Sequence, residues 1–187
     1  MDDHGLGLWV AEQARQAGVR IHEHRAVTRI TATGDLTLAD GQQLSFERIA
    51  NIAGPWALQL LAQSRLQAEH RLDLVRGSHL VLTAPCPQAY LLEVPHERRI
   101  FFVLPWQGQT LLGTTEVRQS LNDPIACSQA EEDYLLAAYQ HYRSSSAPQP
   151  VISSRFAGLR PLIYSAADPS RATREYAFER QGRILTV

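Results

Sequence analysis

The stretch Leu74-Val75-Arg76-Gly77-Ser78-His79-Leu80-Val81-Leu82 decides how this chain reads. Branched and long apolar residues at both ends mark a strand entering a core. Its middle carries Arg76, Gly77, Ser78 and His79, which a core does not require. A glycine inside a strand marks either a bulge or a close approach by another group. His79 has two readings. It is a buried, hydrogen-bonded residue of a bulged strand, or a proton-transfer group titrating near neutral pH.

Downstream the pattern is that of an antiparallel sheet. Gln88 to Val94 reads as a strand and Pro95 to Arg98 as a turn. Ile100 to Trp106 and Thr110 to Glu116 form a hairpin about Gln107-Gly108. Ser128-Gln129-Ala130-Glu131 is a capping box that opens a helix running through Leu135, Ala138 and Tyr142. Ser144 to Pro150 is a linker. Val151 to Leu159 is then a strand, ending in Ala157-Gly158-Leu159-Arg160-Pro161-Leu162. Pro161 restricts Arg160 to extended geometry and is expected to stop the ladder. An arginine held there is an anion clamp or a surface salt bridge.

Upstream, residues 4–17 fit a helix with Leu6, Val10, Ala14 and Ala17 on one face and Gly18 as its cap. Val19-Arg20-Ile21 is expected to begin a strand. Val27 to Thr33, Leu36 to Ala39 and Gln42 to Phe46 are short strands, turned by Gly34-Asp35 and Asp40-Gly41. Ile49 to Gly54 reads as a buried strand that stops at a glycine. Pro55 then starts a helix with Trp56, Leu60 and Leu61 on its apolar face. Such a junction either packs tightly or admits a phosphate. Towards the end, Asp168-Pro169-Ser170 is a loop, Tyr176 and Phe178 alternate in a short strand, and Arg183 to Val187 begin another. The chain stops within an apolar run, so it is expected to be a piece of a longer protein.

The totals narrow the function. The chain has 187 residues, 44% of them hydrophobic, and a formal net charge of -1, which argues against a basic nucleic-acid surface. No apolar run reaches the roughly 20 residues that span a bilayer, and no secretory leader is expected. Cys86 and Cys127 lack zinc or redox spacing and read as free thiols in a reducing compartment. Gly5-Leu6-Gly7 is not a dinucleotide fingerprint, because no strand precedes it and Val10 fills the final small position. His22 and His24 are expected to share a strand face, but further ligands are lacking, so no metal site is assigned.

Four stretches, in order, carry a resemblance. They are Asn51-Ile52-Ala53-Gly54-Pro55-Trp56; Val75 to Val81; Phe102-Val103-Leu104-Pro105-Trp106 with Leu112-Gly113-Thr114-Thr115-Glu116; and Phe156-Ala157-Gly158-Leu159-Arg160-Pro161-Leu162. Together they resemble the FAD-dependent glycerol-3-phosphate dehydrogenase family, within the amino-acid-oxidase-like flavoproteins. The resemblance implies an α+β fold: a mostly antiparallel substrate domain over residues 62–164, with residues 1–61 and 165–187 as parts of an incomplete Rossmann-type FAD-binding domain.

It also implies oxidation of glycerol 3-phosphate to dihydroxyacetone phosphate, with FAD as cofactor and a quinone as final acceptor. The protein would be cytoplasmic, in peripheral contact with the inner face of the membrane. His79 and Arg160 would be catalytic. Val27, Ala53, Gly54, Pro55 and Trp56 would meet the FAD, and Gly77, Ser78 and Thr115 the substrate. Two family features, an upstream Gly-rich loop and a downstream Gly-Gly-Lys, are absent from these residues, and Glu116 stands where aspartate is common. On its own the chain is therefore expected to be inactive, and to form homodimers that cover exposed apolar faces. Two other readings stay open: an amino-acid-oxidase-like enzyme whose Arg160 binds a carboxylate, and a non-catalytic binding domain.

Overall fold

The computed structural model describes residues 2–164 and 176–187. The chain order is α1 (Asp3–Gln16), β1 (Val27–Ile30), β2 (Asp35–Leu38), β3 (Gln43–Ser45), β4 (Ile49–Asn51), a 3-10 turn (Gly54–Trp56), α2 (Ala57–Gln63), β5 (Leu72–Leu82), β6 (Tyr90–Glu93), β7 (Ile100–Trp106), β8 (Gln109–Gly113), β9 (Val117–Arg118), α3 (Gln129–His141), β10 (Ile152–Ile163), β11 (Glu179–Gln181) and β12 (Ile184–Thr186). The fold is α+β with mostly antiparallel sheets, as expected.

The quoted stretch is the axis of the largest sheet. Strand β5 lies second in the order β10-β5-β8-β7-β6, and β9 pairs with it at one end. Alternation along a strand sends neighbouring side chains to opposite faces. Leu80 and Leu82 of β5 therefore point the same way as Leu112 of β8 and Phe101 and Val103 of β7. Leu135 and Ala138 of α3 close over them to form the main core. Ser128 caps α3 through the backbone N–H of Glu131, and the Glu131 side chain returns to the Ser128 N–H, completing the capping box. His79 pairs with Phe156 of β10 and Gly113 of β8, and Gly113 pairs with Phe102 of β7. This row lies on the face turned away from α3.

A second core gathers Ile30, Leu61 and Ile184. There β4 runs parallel to β12, which pairs antiparallel with β11, so the early and late parts of the chain share one sheet. The β1-β2-β3 sheet is tied to it by Arg183 N–H donating to Ala32 O at 2.9 Å. Gly182 makes that turn at φ +58°, where a Cβ would strike the Ala32 carbonyl. Glu179 fastens the lead into β5 by accepting from the Glu69 and His70 backbone N–H groups at 2.9 and 2.8 Å.

Several expectations are corrected. Helix α1 buries no residue, and Leu6 and Val10 of its apolar face are exposed. Residues 19–21 form no strand, and His22 and His24 lie at a turn rather than on a strand face. Tyr176 and Phe178 precede β11 as irregular chain. Strand β4 is only partly buried. Pro161 does not stop the ladder: β10 continues to Ile163, with Pro161 opposite Leu74. Strand β10 is an edge strand, where a residue without an N–H is tolerated on the open side. Strand β5 is not bulged at Gly77, since Gly77 pairs in register with Gly158. The Asp168-Pro169-Ser170 loop lies outside the described residues.

Leu80 is fully buried in the main core. Leu80→Ala should lower the stability of the chain by about 3 kcal/mol through lost burial and a residual cavity, measured by urea denaturation followed by far-UV circular dichroism.

Candidate active site

The site is built on the face of β5 opposite α3, and two glycines make room for it. Arg160 reaches from β10 across Gly77 towards Thr114, where its Nη2 donates to Thr114 Oγ1 at 3.0 Å. A Cβ on Gly77 would collide with the Arg160 guanidinium and Thr114 Oγ1. A Cβ on Gly113 would strike the His79 ring. The close-approach reading of Gly77 is therefore the one the structure supports. His79 and Arg160 stand on the same face of the sheet, four pairing rows apart, with the Gly77–Gly158 row midway between them.

The His79 ring stacks on Phe156 with centroids 4.8 Å apart and planes 9° from parallel. Its Nδ1 is buried and has no hydrogen-bond partner among the described residues. Burial disfavours the imidazolium, and the nearby Arg160 charge adds to this, so the His79 pKa lies below its ordinary value. At neutral pH the ring is neutral and able to accept a proton.

The opposite face of the same strand is structural. Glu131, on the first turn of α3, is 4% exposed. It accepts from Arg76 Nη2 at 2.7 Å, Ser78 Oγ at 2.8 Å, Thr115 Oγ1 at 2.6 Å and the Ser128 N–H and Oγ at 3.0 and 2.7 Å. Thr115 Oγ1 also accepts from the Ser78 N–H at 2.9 Å. Burial would raise the Glu131 pKa, but the hydrogen bonds from Thr115, Ser128 and Arg76 outweigh it and bring it to about 2. Ser78 and Thr115, expected at the substrate, are thus buried under α3 and point away from His79. Thr114, which the sequence reading did not select, is a residue of this segment that meets Arg160. The period of two set by Leu112, in the core, and Gly113, against His79, would turn Thr114 inward, so no local pattern separates the two threonines.

The expected cofactor residues cluster about the β4–α2 junction, whose 3-10 turn packs against β10. Val27, Ala53 and Trp56 line an open trough of about 660 Å³ between β1 and the β4–α2 junction. Gly54 adopts φ +53°, and the space where its Cβ would lie is empty. Pro55 is half-buried in the 3-10 turn beside it, and Gly54 faces a neighbouring cavity of about 240 Å³ shared with Pro161 and Glu179. Asn51, at the end of β4, is buried with its Oδ1 unpartnered among the described residues. No cluster of His, Cys, Asp or Glu that could hold a metal occurs among the described residues.

Comparison with known proteins places this geometry. The profile of the family described as FAD dependent oxidoreductase matches residues 1–177. The chain is 31% identical over 137 residues to a D-erythritol 1-phosphate dehydrogenase of Brucella abortus, covering 70% of this chain and 27% of that protein. It is 32% identical over 191 residues to a glycerol-3-phosphate dehydrogenase of Pseudomonas aeruginosa, covering 94% of this chain and 37% of that protein. A glycerol-3-phosphate dehydrogenase from Bacillus halodurans, solved with FAD, has the same fold over all of this chain and 38% of its own, with TM-score 0.81 at 22% identity. The chain thus spans about a third of the length of the curated relatives it matches.

Because the folded pKa of Glu131 lies below its ordinary 4.5, its stabilisation is present above that pH and is lost as pH falls towards 2. The loss should be about 3 kcal/mol. In Glu131→Gln this acid dependence should flatten. Glu131→Ala, which strands the Arg76 charge, should cost about 3–5 kcal/mol at neutral pH. Denaturant titrations at several pH values check both.

Proposed function

From the premise that the chain belongs to the FAD dependent oxidoreductase family, we propose that it carries the substrate wall of an enzyme oxidising a polyol phosphate, glycerol 3-phosphate first, at a secondary alcohol. The observation that carries this is His79 and Arg160 on one open sheet face, with Gly77 and Gly113 clearing the space around them. Both sequence relatives above are dehydrogenases of phosphorylated polyols, which supports this substrate class.

The residues of this chain divide the work. His79, neutral at neutral pH, accepts the proton of the substrate hydroxyl. Its stacking on Phe156 fixes the plane of the ring, so the accepting nitrogen is presented in one direction. Arg160 holds an anionic oxygen of the substrate with fixed donors, aided by Thr114, which orients the guanidinium. Gly77 lets the guanidinium lie against the strand. Ser78 and Thr115 act from behind, by fixing the strand and the segment that carries Thr114.

FAD, when bound, supplies the two-electron acceptor for the hydrogen on the substrate carbon. The residues present fit it: the Ala53–Gly54 backbone is open, Val27, Ala53 and Trp56 line one trough, and Pro55 fixes the turn. Residues 1–61 together with the β11–β12 strands are then the cofactor side of the protein, and residues 62–164 the substrate side. The shared β4–β12 sheet supports that division. The final acceptor is proposed to be a quinone, reached by peripheral contact at the inner face of the membrane. Among the described residues, no helix is long and apolar enough to cross a membrane.

Three measurements test the reading. The full-length protein that carries this chain, incubated with FAD and dialysed, should keep flavin absorbance; a colourless sample would remove the cofactor assignment. In the full-length, FAD-loaded protein that carries this chain, His79→Ala should lower kcat for glycerol 3-phosphate by about 10²–10⁴ and Arg160→Ala should raise KM. Unchanged turnover in both variants would end the assignment, and turnover of amino acids in place of polyol phosphates would shift Arg160 to carboxylate recognition. Since protonation disables His79 and its pKa lies below the usual range, kcat/KM should be level at neutral pH and fall on the acid side, with a midpoint below the ordinary histidine value.

A further inference from the structure

The imidazole of His79 lies in a row of residues that share one face: Phe156 of β10, His79 of β5, Gly113 of β8 and Phe102 of β7. Phe156 stands on one flank with its ring parallel to the imidazole. Gly113 stands on the other, and the place its Cβ would take is filled by the imidazole: that Cβ would collide with His79 Cδ2 and lie 2.7 Å from Nε2. The ring therefore leans towards β8 with its Cδ2–Nε2 edge over Gly113. Nδ1 lies on the opposite edge, buried and without a partner among the described residues. Phe156 itself is 47% exposed on an edge strand and belongs to neither core, so core packing does not explain its ring.

We infer that Nε2 is the atom of His79 that takes the substrate proton, and that Phe156 is a positioning residue which presents it. The inference rests on the reading of His79 as the proton acceptor. A substrate hydroxyl cannot reach a nitrogen that is closed to solvent, which leaves Nε2. Exchanging the two edges requires the imidazole to turn about its Cβ–Cγ bond, and the parallel Phe156 ring blocks the orientations in between. Gly113 permits the lean and Phe156 prevents the flip, so packing locks the ring in one rotamer. Nδ1 lacks a partner among the described residues in either neutral tautomer, so its burial does not choose between them. A bound hydroxyl does: it donates to a bare Nε2, and the ring proton then sits on Nδ1.

Phe156 also keeps water from one face of the imidazole, which disfavours the imidazolium. Among the described residues, β8 and β7 present Gly113 and Phe102 to this row, neither of them titratable. The charge that acts on the ring is Arg160 of β10, and it too opposes the imidazolium. Phe156→Leu keeps an apolar side chain on the strand but covers less of the ring and lets it turn. Phe156→Tyr keeps both the cover and the stack.

The experiment uses the full-length, FAD-loaded protein that carries this chain. In pH profiles with glycerol 3-phosphate, Phe156→Leu should lower kcat about tenfold, change KM by less than about threefold and move the acid limb of kcat/KM upward, towards the ordinary histidine value. Phe156→Tyr should hold kcat and KM within about threefold of the unaltered protein and leave the acid limb in place. Thermal midpoints should stay level across the set. Histidine-selective nitrogen-15 NMR spectra of the dithionite-reduced protein, which can bind glycerol 3-phosphate without turning it over, should show the His79 proton on Nδ1 and a bare Nε2. A proton on Nε2 in that complex overturns the choice of atom. The positioning role is overturned if Phe156→Leu leaves kcat and the acid limb unchanged, or lowers kcat with the acid limb unmoved, which marks a purely structural role. If His79→Ala turns over glycerol 3-phosphate like the unaltered protein, it is the underlying reading of His79 that fails, and the NMR titration of His79 in Phe156→Leu still reports whether Phe156 holds the ring.

Discussion

The carboxylate of Glu131 is the point on which this structure turns. It is nearly inaccessible to solvent, and it collects donors from three separate parts of the chain: Arg76 and Ser78 on β5, Thr115 after β8, and Ser128 at its own helix cap. A buried carboxylate without donors would be strongly disfavoured. Here its requirements are met only when α3, β5 and the segment after β8 are all in place. The interaction contributes specificity of arrangement as much as stability, since few other packings would supply so many donors to one group.

That arrangement fixes the opposite face of β5 indirectly. Ser78 and Thr115 are held from behind, so His79 and Thr114, each one residue away, are set in front. The strand period of two converts a structural anchor on one face into a placement device on the other. Gly77 and Gly113 complete the effect by withholding side chains where Arg160 and His79 must lie. The two glycines and the two buried hydroxyls belong to one mechanism of support: the first pair removes obstruction and the second removes freedom.

The two faces also differ in how they treat charge. Behind the sheet, Arg76 and Glu131 cancel each other, Glu131 buried and Arg76 nearly so. Glu116 instead lies between Arg99 and Arg160 at distances too long for tight pairing. The open trough beside Val27, Ala53 and Trp56 lies apart from both, at the junction where β4 and β12 join the early and late segments.

The sequence by itself determined the local elements and the inventory of the site. The capping box, the hairpin about Gln107-Gly108, the β5 stretch and the proline at the strand–helix junction follow from short-range backbone and hydrogen-bond rules, and each stands where those rules put it. The ordered motifs carried the family. Tertiary structure alone decided what each residue touches. Pro161 could stay in the ladder because β10 is an edge, a fact set by sheet order and not by the local dipeptide. Helix α1 carries a periodic apolar face yet covers no core among the described residues, because periodicity specifies a face and not a partner. Ser78 and Thr115 moved from the substrate to the support because only pairing register shows which side of a strand meets α3. Glu131 was legible as a cap, but its reach to Arg76, 55 residues earlier, depends on a contact between distant segments that no local pattern encodes.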